Sequence, residues 1–204
     1  MRRTINLKKG LNMQLEGSLS DTNVSAKVMP GRVAIIPDDF PGFQPKPDVK
    51  EGDTVQPGSP LMHDKIDSDV RLVAPVAGMV ESIVRGARRK IERVVIKCSG
   101  QETVSASGNA PELTEKGVRA ALKASGLWAM MRRRPYDIVP VESDIPRDIF
   151  VTAMDTAPLA LSLEVMVKGM ETYISKGIEA LGMLTKGTIY IGVEHGRPKN
   201  KKKS

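Results

Sequence analysis

The amino-acid sequence predicts a two-domain protein of mixed α+β and α/β character: a small β domain of short twisted strands, then an incomplete α/β domain built on a parallel sheet. Three observations carry this. Between Val49 and Gly86, short alternating apolar runs are punctuated by Gly-Asp, Pro-Gly and Pro-x-x-Gly, which describes small strands joined by tight turns, because glycine supplies positive φ and proline pre-sets the turn. Residues 99–111 are rich in Ser, Gly, Asn, Ala and Thr with almost no aliphatics, which marks a linker. Beyond them, helical spacing and apolar strand runs alternate as in a βαβ unit. The expected divisions are 1–100 for the β domain, 101–112 for the linker, 113–196 for the α/β domain and 197–204 for a basic disordered tail.

Within the β domain, Thr4-Ile5-Asn6-Leu7 reads as an edge strand followed by a long loop, and Gly31-Arg32-Val33-Ala34-Ile35-Ile36-Pro37 as a stronger strand closed by proline. Residues 38–47 carry too many prolines for a strand interior and hold Phe40 and Phe43. They are expected to form a rigid loop whose two rings plug the end of the barrel. The spacing Val49-x-x-Gly52 returns as Ile83-x-x-Gly86, a hint of internal two-fold repetition. Two such halves facing each other make a flattened barrel. The pattern resembles the biotinyl/lipoyl-type barrel-sandwich fold.

That resemblance raises a carrier reading, in which Lys65 would bear a swinging arm. Against it, the loop apex is Asp67-Ser68-Asp69, ten positions separate Lys65 from Pro75, and no methionine flanks the lysine. The acidic loop lacks the longer ligand run and distant glutamate of a calcium site, so a solvated turn is expected. His63 and His195 are far apart in the chain, which favours packing over metal ligation. No metal site is predicted. The segment Arg85-Gly86-Ala87-Arg88-Arg89-Lys90 reads as a basic hairpin tip leading into the strand Ile91-Glu92-Arg93-Val94-Val95-Ile96-Lys97.

In the second domain Thr114 is the expected N-cap of a helix whose apolar face carries Val118, Ala121 and Leu122 and which Gly126 stops. Leu127-Trp128-Ala129-Met130-Met131 predicts another short helical turn, and Arg132-Arg133-Arg134-Pro135-Tyr136 an arginine cluster held out of helical geometry by proline. A strand over 148–153 delivers Asp155 and Thr156 to its carboxyl end, where α/β sheets bind ligands. One helix is expected from about Ser162 to Leu184, with Met166, Met170, Ile174, Ile178 and Leu181 as a core face, followed by a parallel strand over 188–193. Two strands and two helices cannot cover both faces of a parallel sheet. Either the chain is the N-terminal part of a larger protein or a partner covers the open edge.

Composition narrows the function. A formal charge of +7 is compatible with nucleic acid, an acidic partner, a phosphate ligand or an anionic membrane, yet aromatics are only 3% and none is interleaved with the basic clusters, which argues against nucleic acid. The single cysteine, Cys98, excludes an internal disulfide and a cysteine-built metal centre within one chain. Neither a G-x-G-x-x-G fingerprint nor a P-loop opens either helix. Basic Arg2 and Arg3 are followed by no apolar leader core, and no apolar run approaches the roughly 18 residues of a membrane span. A cytoplasmic protein, or one peripheral to the cytoplasmic face of a membrane, is expected.

Several motifs point together to one family: Leu7-Lys8-Lys9-Gly10-Leu11, Glu51-Gly52-Asp53, Asp64-Lys65, Ala74-Pro75-x-x-Gly78, Arg85-Gly86-Ala87-Arg88-Arg89, Ser125-Gly126-Leu127-Trp128, Arg132-x-Arg134-Pro135-Tyr136, and the long run from Phe150 through Asp155 to Ala160. With these the chain resembles, over nearly its whole length, the alpha subunits of the bacterial Na+-translocating NADH:quinone reductase. The resemblance implies a peripheral subunit on the cytoplasmic face of the bacterial inner membrane, within a six-subunit sodium pump whose other subunits, including one embedded in the membrane, are its partners. It implies that NADH, flavins and an iron–sulfur centre belong to those other subunits, and that ubiquinone or menaquinone is the substrate at the end this subunit serves. It also implies a Rossmann-like second domain, similar to the C subunit of the Rnf complex and to the flavin-binding domain of the NADH-oxidising subunit of complex I. Here Gly126-Leu127-Trp128 and the arginines replace the flavin loop, so no flavin is expected on this chain. Members of the family continue past residue 204, so the chain is expected to be part of a longer protein.

A quinone head group needs an apolar slot, an aromatic face and donors for its carbonyl oxygens. Phe40, Phe43, Trp128 and Tyr136, with Arg132 or Arg134 as donors, are the candidate quinone-proximal residues, and no residue is assigned a catalytic role. The alternative is a docking module in which Trp128 and Tyr136 cement the domains and the arginines pair with a neighbouring subunit.

Overall fold

The structure is a computed structural model that describes residues 28–100, 111–155, 157, 160 and 166–193. The expected strand at residues 4–7, most of the linker and the basic tail lie outside these residues, as do His195 and Thr156.

Among the described residues seven strands build the β domain: β1 Arg32–Ile35, β2 Pro45–Pro47, β3 Thr54–Val55, β4 Pro60–Asp64, β5 Arg71–Val73, β6 Gly78–Arg85 and β7 Ile91–Cys98. They form two antiparallel sheets, one ordered β1-β7-β6-β3 and the other β2-β4-β5. Leu61, Val80, Val94 and Ile96 on the strands, with Val70 just before β5, form one fully buried cluster, each side chain contributing roughly 1.5–3 kcal/mol of transfer free energy. Register shifts between Val80 and Ser82 and between Val84 and Arg85 interrupt the long β6–β7 pairing, and such bulges add the twist a flattened barrel needs. Gly78 begins β6 where the chain lies against β7: a Cβ there would strike the Lys97 carbonyl and stand 2.9 Å from Ile96 Cγ2.

The two halves do join as the repeat suggests. Val49 and Ile83 both pack on the core, the Ile83 N–H donates to Glu51 Oε1 at 2.8 Å, and Gly52 N–H donates to the Val80 carbonyl at 2.8 Å. The repeat does not extend to the glycine backbones, since φ is +92 at Gly52 and −92 at Gly86.

Two expectations in this domain need correction. The proline-rich segment is not wholly loop: Pro45–Pro47 pairs with β4, Lys46 opposite His63. Proline is tolerated there because β2 is an edge strand with only one neighbour. The Asp67 turn is not simply solvated either, for its carboxylate is almost wholly buried against the second domain.

In the second domain α1 spans Glu115–Ala124, and Thr114 caps it by accepting a hydrogen bond from Gly117 N–H at 3.1 Å. Gly126, with φ +79, turns the chain where a Cβ would sit 3.1 Å from Val73 Cγ2, so α1 ends directly on β5. A 3-10 turn, Trp128–Met130, follows, and Trp128, Ala129 and Val139 are members of the barrel's own core cluster. Strands β8 Ile149–Ala153 and β9 Ile189–Val193 pair in parallel, Ile149 opposite Ile189 through Ala153 opposite Val193. Helix α2, Glu171–Gly182, lies between them in the chain.

The helix expected from about Ser162 to Leu184 is not continuous. Residues 167–169 form a turn in which Gly169 takes φ +83, and α2 starts only after it. Met166, Met170 and Ile174 are exposed rather than core, and no residue of α2 is buried: the turn takes the two methionines off the helix face, and Ile174, Ile178 and Leu181 border with Val118 and Leu122 an apolar groove of about 340 Å³ that nothing among the described residues fills.

Candidate functional site

A second, larger cleft of about 990 Å³ opens between the segment that follows α1 and the exposed face of β8. One wall is made by Trp128, Met130, Met131 and the arginines at 132, 133 and 134; the other by residues 144–152, with Leu181 and Leu184.

Each wall is fixed by hydrogen bonds. Trp128 Nε1 donates to the Pro140 carbonyl at 2.8 Å, while Arg119 and Lys123 of α1 bring their cationic groups to 5.0 and 5.9 Å from its ring. The ring is thus oriented by a donor bond at its edge and two cations over the π system. Arg132 donates from Nη1 to the Ala129 and Met131 carbonyls and from Nη2 to the Asp39 carbonyl at 2.8 Å. Those bonds tie the arginine segment to the barrel.

Arg133 Nη1 meets both oxygens of Asp144, at 2.8 and 2.9 Å, and Asp144 also accepts from Val141 N–H. Its Nε is buried without a partner among the described residues. Arg134 is the exposed arm of the cluster, and among the described residues it forms an ion pair with Asp137 at 3.2 Å in an open setting. Tyr136 is exposed with the Arg133 guanidinium 5.4 Å above its ring.

On the facing wall, Asp148 accepts from Thr188 N–H at 2.9 Å and from Arg147 Nε at 2.7 Å. These bonds, the backbone donor first, hold its carboxyl below the ordinary value of 3.8, and Asp148 in turn raises Arg147. Next along β8, Phe150 stacks on Tyr190 of β9 with ring centroids 5.0 Å apart and planes within 13°. Phe150 lines the cleft, and both rings face solvent.

Of the candidate residues read from the sequence, Trp128, Arg132 and Arg134 share this cleft. Phe43 is buried in the barrel core with Phe40 packed against it, and Tyr136 stands beside Arg133 outside the cleft lining. Asp155, just beyond β8, accepts from Ala157 N–H at 2.9 Å. Sequence reasoning missed Arg119, Arg147 and Phe150. Phe150 sits inside an apolar strand run, and nothing in that run marks which of its side chains stays uncovered.

Residues 5–99 match the family described as the NqrA N-terminal barrel-sandwich hybrid domain, and residues 113–204 that described as the NqrA second alpha/beta domain. The chain belongs to the NqrA family. Among its relatives, the NqrA subunit of the Na(+)-translocating NADH-quinone reductase from Pasteurella multocida is 37% identical over 195 residues, that from Tolumonas auensis 35% over 194 and that from Histophilus somni 34% over 191. Each alignment covers 92% of this chain and 43% of the relative, so the chain spans less than half the length of the NqrA proteins it matches. The barrel-sandwich domain followed by an α/β domain is the architecture described above. No helix among the described residues is long and apolar enough to cross a membrane.

Proposed function

We propose that this chain is the N-terminal part of a subunit of a Na+-translocating NADH-quinone reductase, bound peripherally to the membrane-embedded subunits at the cytoplasmic face and serving the quinone-reducing end. In this reading NADH, flavins and the iron–sulfur centre act on other subunits, and ubiquinone or menaquinone is the redox partner that this chain approaches. The kinship with NqrA proteins supports the complex, and the 990 Å³ cleft supports the quinone.

The cleft supplies the three things a quinone head group requires. Phe150 offers an exposed aromatic face, Met130, Met131 and Leu184 an apolar slot, and Arg134 an exposed guanidinium whose N–H groups beyond its pair with Asp137 can donate to a carbonyl oxygen. Trp128 and Arg132 act behind this surface as its support, Trp128 through its bond to Pro140 and Arg132 through its bond to Asp39. Phe40 and Phe43 remain part of the quinone-proximal proposal only as packing around that support, Tyr136 as an exposed ring beside Arg133, and Asp155 with Thr156 as the ligand loop that follows β8 in the chain.

The test is quenching of the single tryptophan, Trp128, by a soluble short-chain quinone. Saturable quenching that Phe150→Ala or Arg134→Ala abolishes is the expected result. Linear, collisional quenching unaffected by either substitution overturns the quinone assignment and leaves the docking reading, in which the arginines meet a neighbouring subunit.

A further inference from the structure

The hairpin joining β6 to β7 ends in a tip that takes no part in the cleft. It carries Arg85, Arg88, Arg89, Lys90 and, at the start of β7, Arg93, and all five are exposed. Two carboxylates lie near them. Asp38 meets Lys90 Nζ at 2.7 Å with both groups largely in solvent, and Glu92 lies against Gly86.

The backbone holds these cations in an unusual way. Arg88 and Arg89 are consecutive residues at φ +55 and +61, a left-handed region that side chains with a Cβ rarely adopt and that glycine or asparagine would enter more easily. The turn is closed by Gly86 N–H to the Lys90 carbonyl at 2.8 Å, Arg89 N–H to the Gly86 carbonyl at 3.2 Å and Lys90 N–H to the Ala87 carbonyl at 3.2 Å. Arg85 Nη1 reaches the Arg89 carbonyl at 3.2 Å, so a fourth cation lies over the same tip. Residues kept in sparsely populated conformations gather where a surface is used.

What the tip lacks identifies its partner. Interfaces between proteins are centred on aromatic and aliphatic side chains, and the largest apolar side chain in residues 85–90 is the methyl of Ala87. A small anionic ligand calls for a concave site, and the tip is an exposed turn that lines neither of the two clefts described above. Four or more clustered cations without a groove or an apolar centre suit a diffuse plane of negative charge. We propose that the β6–β7 hairpin tip is an electrostatic contact for an anionic phospholipid surface, with Arg88 and Arg89 as its foremost charges. This does not rest on the quinone assignment, and either can fail alone.

The test is co-sedimentation of the chain with vesicles of equal parts phosphatidylglycerol and phosphatidylcholine, against vesicles of phosphatidylcholine alone. Binding is expected only to the anionic vesicles and to weaken as salt rises. Replacing both arginines in R88N/R89N, which suits the left-handed backbone, is expected to lower partitioning roughly thirty-fold, with the thermal unfolding midpoint preserved. The pair R88K/R89K keeps the charge and is expected to partition within about three-fold of the parent. Equal partitioning of parent and R88N/R89N overturns the proposal, as does binding that vanishes when lysine-rich residues 197–204 are removed while remaining indifferent to Arg88 and Arg89. Loss with the lysine pair as complete as with the asparagine pair, or binding to polyglutamate without binding to the anionic vesicles, also overturns it, in favour of a specific acidic protein partner.

Discussion

Lys123 Nζ in α1 stands 2.6 Å from Asp67 Oδ2 in the turn between β4 and β5, with the two side chains only 4% and 12% exposed. Glu142, 3.5 Å from the same ammonium, is largely in solvent. The pair fastens the α/β segment to the barrel beside the point where Gly126 lies on β5. Removing one partner leaves a buried charge, so Asp67→Ala is expected to destabilise the chain by about 3 kcal/mol. The double variant K123M/D67A is expected to lose less than the sum of the two single variants, which a double-mutant cycle in urea measures directly. Additive losses would mean that the pair contributes no coupling.

Gly78→Ala is expected to be among the most damaging small substitutions in the barrel. Its methyl would meet the Lys97 carbonyl, a backbone atom that cannot rotate away, so β6 must move off β7. A loss of about 3 kcal/mol is expected, read as a lowered midpoint of chemical unfolding. An unchanged midpoint would mean that the two strands lie further apart than described.

Thr114→Ala removes the hydroxyl that accepts from Gly117 N–H and is expected to cost about 1 kcal/mol. The effect should appear first as faster amide exchange in α1 while the strands of the barrel keep their protection. Thr114→Ser, which restores the acceptor, is expected to recover most of it.

Acid should loosen the β8–β9 pair ahead of the barrel. The folded-state carboxyl of Asp148 is held below its ordinary 3.8 by Thr188 N–H and Arg147. Its contribution is therefore complete above about pH 3.8 and is lost as pH falls through the lower folded value. Asp148→Asn is expected to remove this pH dependence from the exchange of β9 amides while leaving the barrel's acid transition in place. A pH profile identical to the parent's would show that Asp148 does not hold the strand end.

Strands β1, β4, β5, β6 and β7 follow directly from alternating apolar runs and their turn residues, and α1 from its cap and spacing, because these signals lie within a few residues of the elements they specify. The break before α2 was harder to read. Met166, Met170 and Ile174 keep helical spacing across it, and only Gly169 carries the interruption. The short strand β2 was hidden by its prolines, since a sequence does not show that a segment will lie at a sheet edge. For the candidate site, the arginine cluster and Trp128 stood out by composition, whereas Phe150 and Arg147 joined them only through folding.

By itself the sequence determined the two-part architecture, the small twisted strands, the parallel β8–β9 order and the kinship with NqrA, because each rests on periodicity, turn chemistry or motif runs that are local in the chain. Only the tertiary structure decided that Trp128 would enter the barrel's core and that Lys123 would pair with Asp67, 56 positions away. It likewise decided that Trp128, Arg134 and Phe150 would border one cleft. These relationships depend on how α1 and the segment after it dock on the barrel, and docking is set by the shape and charge of surfaces assembled from distant residues.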